Sequence, residues 1–340
     1  MDHIAIDLGG RESQICVRSQ DGSIIDERRC ATGTLSRYLQ RRPAGRVVVE
    51  TCAEAFSVAD EAVAAGHEVK VVPATLVRVL GVGSRGVKTD RRDAQILSEV
   101  SCRIELPSVH VPAAITRDRR SQCTSRENLV QTRTSLINGA RGWLRQQRVR
   151  IRSGTTQTFP KRVREKLLKS EAGLPAYIER MLVSIETLSE QIRAADGELQ
   201  QLAREDSACE RLMSVPGVGP VTAVRFVSAL ENVERFGGAH AVEAYLGLTP
   251  GERSSSDKKQ RTGITKAGPA PVRRALVQAC WVFRRLRPED PLVQWCLEIE
   301  KRRGRKIAII ALARRLSGVL YALWRDGTRY DPEHRAVGAK

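Results

Sequence analysis

Apolar and polar positions over the first hundred residues alternate in short blocks. His3–Leu8 is an apolar run interrupted by Asp7, Gln14–Arg18 alternates, Asp21-Gly22 signals a turn, and Ser23–Arg28 resumes the alternation. This predicts a three-stranded meander. Leu35–Leu39 has helical spacing, Arg46–Thr51 reads as a buried strand around Val47, Val48 and Val49, Ala53–Ala65 as a helix, and Glu68–Val72 as a strand stopped by Pro73. The predicted order is βββαβαβ. Gly81, Gly83 and Gly86 mark a loop, and Asp90–Ile104 then has helical spacing through Ala94, Leu97 and Val100, with Thr89 as its N-cap.

Further along, Met181, Ile185, Leu188, Ile192, Ala195, Leu199 and Leu202 step alternately by four and three, a heptad seam interrupted by Gly197. A coiled-coil contact between copies and a two-helix packing inside one chain account for it equally well. Residues 211–330 read as almost wholly helical, with breaks at Pro216–Pro220 and Pro250–Gly251 and one long amphipathic helix over Lys301–Tyr321. The expected organisation is an α/β domain with a mixed sheet (1–110), a basic helical linker and coiled coil (111–210), and an all-α domain (211–330).

The chain has 340 residues, 41% hydrophobic and 28% charged, which excludes disorder and low-complexity polymers. Apolar runs such as Val47–Val49 and Ile307–Ala313 fall short of the roughly 18 to 20 residues that span a bilayer, so no membrane span is expected. Met1–Leu8 has no basic n-region, so a cytoplasmic, nucleoid-associated location is expected. The eight cysteines form no CxxC pair, which points to reduced thiols rather than zinc ribbons or disulfides. The net charge of +18 makes nucleic acid the leading partner class. That excess is local: residues 1–100 are neutral, 101–170 carry +12, 171–210 carry −6 and 211–340 carry +12. In the first basic stretch Arg141, Arg145, Arg148, Arg150 and Arg152 surround Trp143, and Lys161 and Arg162 follow, a tract suited to phosphate contact with Trp143 available for stacking.

Four carboxylates carry the first candidate chemistry. Asp7 ends the first predicted strand, Glu50 ends the fourth, and Asp90 and Asp93 share a helix face at the start of the helix that follows the glycine loop. Meeting at one sheet edge, they form an oxygen-rich pocket for Mg²⁺ or Mn²⁺, and two such ions clamp a scissile phosphodiester. Each acid also has a plain structural use: Asp7 in a turn, Glu50 paired with Arg46, Asp90 and Asp93 at a helix N-terminus. Ile6–Gly10 matches the first phosphate loop of actin-like ATPases, but the second loop and the adenosine motif of those enzymes are missing from the sequence.

Two further segments suit phosphate. Leu212–Pro220 reads as the glycine turn of a helix–hairpin–helix, in which Gly217 and Gly219 offer backbone N–H groups. Gly247–Ser256 places Ser254, Ser255 and Ser256 beside Lys258, Lys259, Arg261 and Lys266. Those serines suit either phosphoryl nucleophiles or plain phosphate donors.

Lys88-Thr89-Asp90-Arg91-Arg92-Asp93-Ala94, together with Ile6-Asp7, Val49-Glu50-Thr51, Val215–Gly219, Gly247-Leu248-Thr249-Pro250 and Ile264–Gly268, resembles the DEDD transposases of IS116/IS110/IS902-type insertion sequences, bridge-RNA-guided recombinases. The resemblance spans residues 4–280. It implies an RNase H-like (RuvC-like) first domain whose Asp7, Glu50, Asp90 and Asp93 bind metal. It also implies a helical last domain whose serine, aligned at Ser255, forms a covalent link to DNA in a site completed by a neighbouring subunit. DNA, a bridge RNA and a homo-oligomer are the implied partners. Two alternatives remain at this point: a RuvC-like junction endonuclease using water, and a nucleic-acid-binding protein without catalysis.

Overall fold

The computed structural model describes residues 1–79, 89–168, 173–255 and 258–333, and the chain divides into two compact units, Met1–Ala113 and Ala114–Lys340. The glycine loop 81–86 and Ser256 lie outside the described residues.

In the first unit the strands are β1 (His3–Asp7), β2 (Glu12–Arg18), β3 (Ile24–Ala31), β4 (Arg46–Glu50) and β5 (Glu68–Val72). They form one mixed sheet in the order β3-β2-β1-β4-β5, with β1 antiparallel to β2 and parallel to β4. Helices α1 (Leu35–Gln40) and α2 (Ala55–Ala64) interrupt the strands, and α3 (Ala74–Val79) and α4 (Asp90–Arg103) follow them. Two-residue alternation divides the core. Ile4, Ile6, Val47, Val49 and Val71 point to one face against Leu35, Leu39, Val58 and Ala62 of α1 and α2. Ala5, Val48 and Val72 point to the other, against Leu97 of α4. Val109 and Val111 still pack on this core, which sets the unit boundary slightly beyond the expected residue 110.

The second unit runs through α5 (Ala114–Gln146), α6 (Phe159–Leu167), α7 (Ala176–Glu205), α8 (Ser207–Leu212), α9 (Pro220–Leu230) and α10 (Ala239–Tyr245). It continues through β6 (Pro250–Ser255), β7 (Lys258–Ile264), α11 (Ala270–Leu286), α12 (Pro291–Arg303) and α13 (Arg305–Asp326). Residues 111–210 and 211–330 were expected to separate, yet Cys123 of α5 and Leu199 and Ala203 of α7 belong to the same apolar core as α9, α11 and α13. A shared core holds them in one unit.

The heptad seam finds its partner inside the chain. Arg119 pairs with Asp206 at 2.7 Å, Arg126 with Asp196 at 2.7 Å, and Arg133 donates to Ser189 at 3.3 Å, so α5 and α7 run antiparallel. The buried line is Ile178, Leu182, Ile185, Ser189, Ile192, Leu199 and Ala203. Ile185, Ile192 and Leu199 are as expected, but Met181, Leu188, Ala195 and Leu202 stand only half-buried beside the seam.

Two other expectations are corrected. The last region is not wholly helical, because β6 and β7 pair antiparallel as a hairpin. Lys301–Tyr321 is not one helix: Gly304 adopts φ +82°, a left-handed conformation that ends α12 and starts α13. By length and composition α13 is apolar enough to cross a membrane, but half of that stretch is buried within the unit. Ala308, Leu312, Leu316 and Leu320 belong to its core. All eight cysteines are free, as expected, and five are buried.

Candidate active site

Three elements, β1, β4 and α4, carry the four acids. β1 and β4 pair in parallel with Ile6 opposite Val49, so their last residues, Asp7 and Glu50, end the two strands side by side. Both are partly exposed. Each stands two residues beyond a side chain of the α4-covered face, Ala5 and Val48, so both project toward α4.

α4 runs antiparallel to β1. His3, at the start of β1, bonds through Nδ1 to Oγ of Ser101 near the end of α4, at 2.7 Å. Asp93 lies eight residues upstream of Ser101, about 12 Å along a helix. Asp7 lies four residues beyond His3, about 13 Å along a strand. The two therefore reach the same level of the sheet. Asp93 is buried, on the same stripe as Ala94, Leu97, Ser98 and Ser101, whereas Asp90, one turn outward, is exposed.

Side chains along α4 hold this alignment. Thr89 caps the helix, its side chain accepting from the Arg92 amide at 3.4 Å. Glu27 of β3 accepts from Arg91 and, at 2.6 Å, from Gln95. The Arg91 hydrogen bond is the main cause holding the Glu27 carboxyl below its ordinary value. Arg18 donates to Ser98 at 3.0 Å. Arg46, the alternative partner for Glu50, instead pairs with Glu68 at 3.0 Å and Glu105 at 3.4 Å.

Carboxylate oxygens at one edge suit a hard divalent cation in donor type and backbone placement. Yet among the described residues no three Asp, Glu, His or Cys side chains lie close enough to share one ion. Convergence of all four acids on one point is therefore not reached in this conformation.

In the second unit, Ser255 ends β6, opposite Lys258 in the hairpin register, and Ser254 lies opposite Lys259. The side chains of these residues and of Arg261 lie outside the description. The root of the hairpin is well defined. Thr265 donates to the Thr249 carbonyl at 2.9 Å and Lys266 to that of Gly247 at 3.1 Å. Lys266 is exposed and held at φ +58°, in the left-handed region where non-glycine residues are uncommon.

The other cationic candidates divide. Arg141, Arg145, Arg148 and Lys161 are exposed, with Arg141 also lying over the Phe159 ring at 5.4 Å. Arg162 instead organises its own loop, donating to the carbonyls of Thr155 at 2.8 Å and Thr158 at 3.3 Å. Trp143 is no free stacking surface: it packs against the core of α5–α7 and meets Tyr177 edge to face at 6.3 Å. The Gly217–Gly219 turn does join α8 and α9. Gly217, at φ +88°, is explained by packing, since a Cβ there would strike the backbone of Ala279 and Phe283 in α11, whereas Gly219 faces open space.

Comparison with known proteins fits this arrangement. Residues 4–148 match the DEDD transposase model of IS110 type, and residues 209–292 match the model described as the transposase IS116/IS110/IS902 family. Together they span about two-thirds of the chain. The chain is 27% identical to the transposase of insertion sequence element IS1111A from Coxiella burnetii, covering 94% of this chain and 88% of that protein. It is 27% identical to the IS1328 transposase of Yersinia enterocolitica over 96% and 97% of the two chains. A probable family 20 transposase of Pseudomonas aeruginosa shares 25% over 98% and 99%. The first match contains the acid edge and the second contains the serine hairpin, and this chain belongs to the IS116/IS110/IS902 family of insertion-sequence DNA transposases.

Proposed function

We propose that this transposase cuts and rejoins DNA through a covalent phosphoserine intermediate, with Ser255 as nucleophile and Asp7, Glu50, Asp90 and Asp93 holding Mg²⁺ or Mn²⁺. One observation carries the reading. Acids from three distant segments, Asp7, Glu50 and Asp93, stand at one edge and on one face of the sheet.

In the reaction the serine Oγ–P bond forms and the bond from phosphorus to the deoxyribose oxygen breaks. The hydroxyl proton ends on the departing oxygen. A second deoxyribose hydroxyl reverses the step and reseals the strand, so no nucleotide triphosphate is consumed. The divalent ion, when bound, stabilises charge developing on the phosphoryl oxygens.

The exposed Arg141, Arg145, Arg148 and Lys161 support binding of a structured RNA, the bridge RNA of the family resemblance. Lys258, Lys259, Arg261 and Lys266 on the hairpin are the cations assigned to DNA phosphates. The heptad seam lends nothing to self-association, because α5 occupies it. A dimer or tetramer rests on the composite site that the resemblance implies.

Incubation with cognate DNA followed by denaturing electrophoresis tests the nucleophile. A protein–DNA adduct is expected for the wild type and none for Ser255→Ala. An undiminished adduct in that variant overturns the assignment, and nicked DNA with no adduct in the wild type marks water as the nucleophile. Sequencing the RNA that copurifies tests the guide: a discrete non-coding species is expected, and random fragments count against it.

A further inference from the structure

The hairpin that carries Ser255 has almost no apolar side chain of its own, since only Pro250 and Ile264, at its two ends, are apolar along both strands. Something outside it must fix its direction. Its two ends are brought together at a compact root where the backbone is unusually crowded. Gly247 and Gly268 both adopt left-handed conformations, at φ +67° and +65°. A Cβ at Gly247 would strike the backbone of Ala267, and one at Gly268 would strike the Tyr245 carbonyl. Lys266 is held in the same region without the freedom of glycine.

Arg273, near the start of α11, bridges this root. Its Nη1 donates to the carbonyl of Leu246 at 3.0 Å, to that of Gly268 at 3.1 Å, and to that of Ala267. Leu246 precedes the hairpin, while Ala267 and Gly268 follow it. One guanidinium thus joins the entering and leaving chains. Among the described residues no carboxylate pairs with Arg273, and burial, followed by the neighbouring Arg274, presses its pKa below the usual arginine value.

We infer that Arg273 is a positioning residue for strand exchange: by clamping the carbonyls of Leu246, Ala267 and Gly268 it fixes the direction in which the β6–β7 hairpin presents its serine. The inference rests on the proposal that Ser255 is the nucleophile. Arg273 itself touches neither DNA nor the reacting atoms in this role. Misplacing a reacting group by about 1 Å costs up to about a hundredfold in rate.

The experiment compares the rate of covalent adduct formation, the affinity for cognate DNA and the thermal midpoint in full-length wild type, Arg273→Met and Arg273→Lys, with Ser255→Ala in parallel. Arg273→Met is expected to slow adduct formation by about ten- to a hundredfold, with DNA affinity and thermal midpoint nearly unchanged. Arg273→Lys keeps a cation within reach of the carbonyls and should restore most of that loss. Hydrogen exchange at the Thr265 and Lys266 amides should quicken in Arg273→Met.

A methionine variant that forms adduct at the wild-type rate overturns the inference. So does a rate loss that follows DNA affinity in proportion, or a lysine variant as slow as the methionine one. Should Arg273→Met fail to fold, Arg273→Gln, too short to reach the carbonyls on both sides of the root at once, takes its place with the same expected loss and the same overturning result. An adduct that persists in Ser255→Ala removes the nucleophile assignment instead, whatever the Arg273 variants do.

Discussion

The acid edge and the serine hairpin are held in place by different means. Asp7, Glu50 and Asp93 sit at the ends of regular elements, and the apolar faces of β1, β4 and α4 fix them as a by-product of building the core. The hairpin projects from a helical unit with only Ile264, among its described residues, packed on its core, and its root combines crowded backbone with Arg273 against three carbonyls. The first arrangement tolerates local change as long as the sheet packs. The second depends on a few polar contacts, so small substitutions at its root act on geometry more than on folding.

The largest test separates the units by stability. Glu127 of α5 pairs with the buried Arg225 of α9 at 2.6 Å and with Arg274 of α11. Glu127→Ala leaves that buried arginine without a carboxylate, held only by the Cys123 carbonyl at 2.7 Å, and removing one partner of a buried ion pair costs about 3–5 kcal/mol. Hydrogen exchange and urea unfolding of the full chain should show loss of protection in α5, α9 and α11, with the β1–β4 strands still protected. A uniform loss across both units would break the contrast.

The next largest effect falls on chemistry at the acid edge. Asp7→Asn should leave folding and DNA affinity intact and reduce strand exchange by roughly a hundredfold or more, because metal stabilisation of the transition state is worth several kcal/mol. An in-cell transposition assay and in vitro cleavage check this, and unchanged exchange would refute a metal role for the edge.

A smaller cost is expected from Thr89→Ala. Loss of the N-cap of α4 removes about 1 kcal/mol and loosens the turn bearing Asp90 and Asp93. Equilibrium denaturation reads the stability, and titration with Mn²⁺ should show weaker binding; equal binding would show that the cap does not position the acids.

The smallest effect is one of pH. Glu186 of α7 is held below its ordinary carboxylate value, mainly by its hydrogen bond from Arg164 of α6. A depressed carboxyl contributes stability above its unfolded pKa and loses it as pH falls through the folded value. Docking of α6 should therefore weaken on the acid side of the ordinary glutamate range, and Glu186→Gln should flatten that decline. Protection of α6 amides measured against pH decides it.

The same difference governs what was legible in advance. The element ends that carry Asp7, Glu50, Asp90 and Asp93 could be read because the strands are marked by Val- and Ile-rich runs and α4 by its cap and apolar spacing. Nothing in Gly251–Gly263 marks a strand, because its side chains are polar throughout, and the expectation there was a break between helices. α5 was not anticipated as a 33-residue helix, since its buried positions include Thr116, Cys123 and Ala140 rather than a strong apolar stripe. Gly304 stood inside a helical pattern where glycine is ambiguous, and only its left-handed backbone shows that it separates two helices.

The sequence alone determined the order of the five strands and of α1, α2 and α4 in the first unit, though not α3, together with the basic tracts and the family resemblance, because periodicity, capping and motif spacing are local properties of the chain. Tertiary structure decided that α5 covers the seam of α7, that Asp93 is level with Asp7, and that Arg273 reaches both ends of the hairpin. Those depend on which surfaces meet across long stretches of chain, and no local pattern encodes a partner's position.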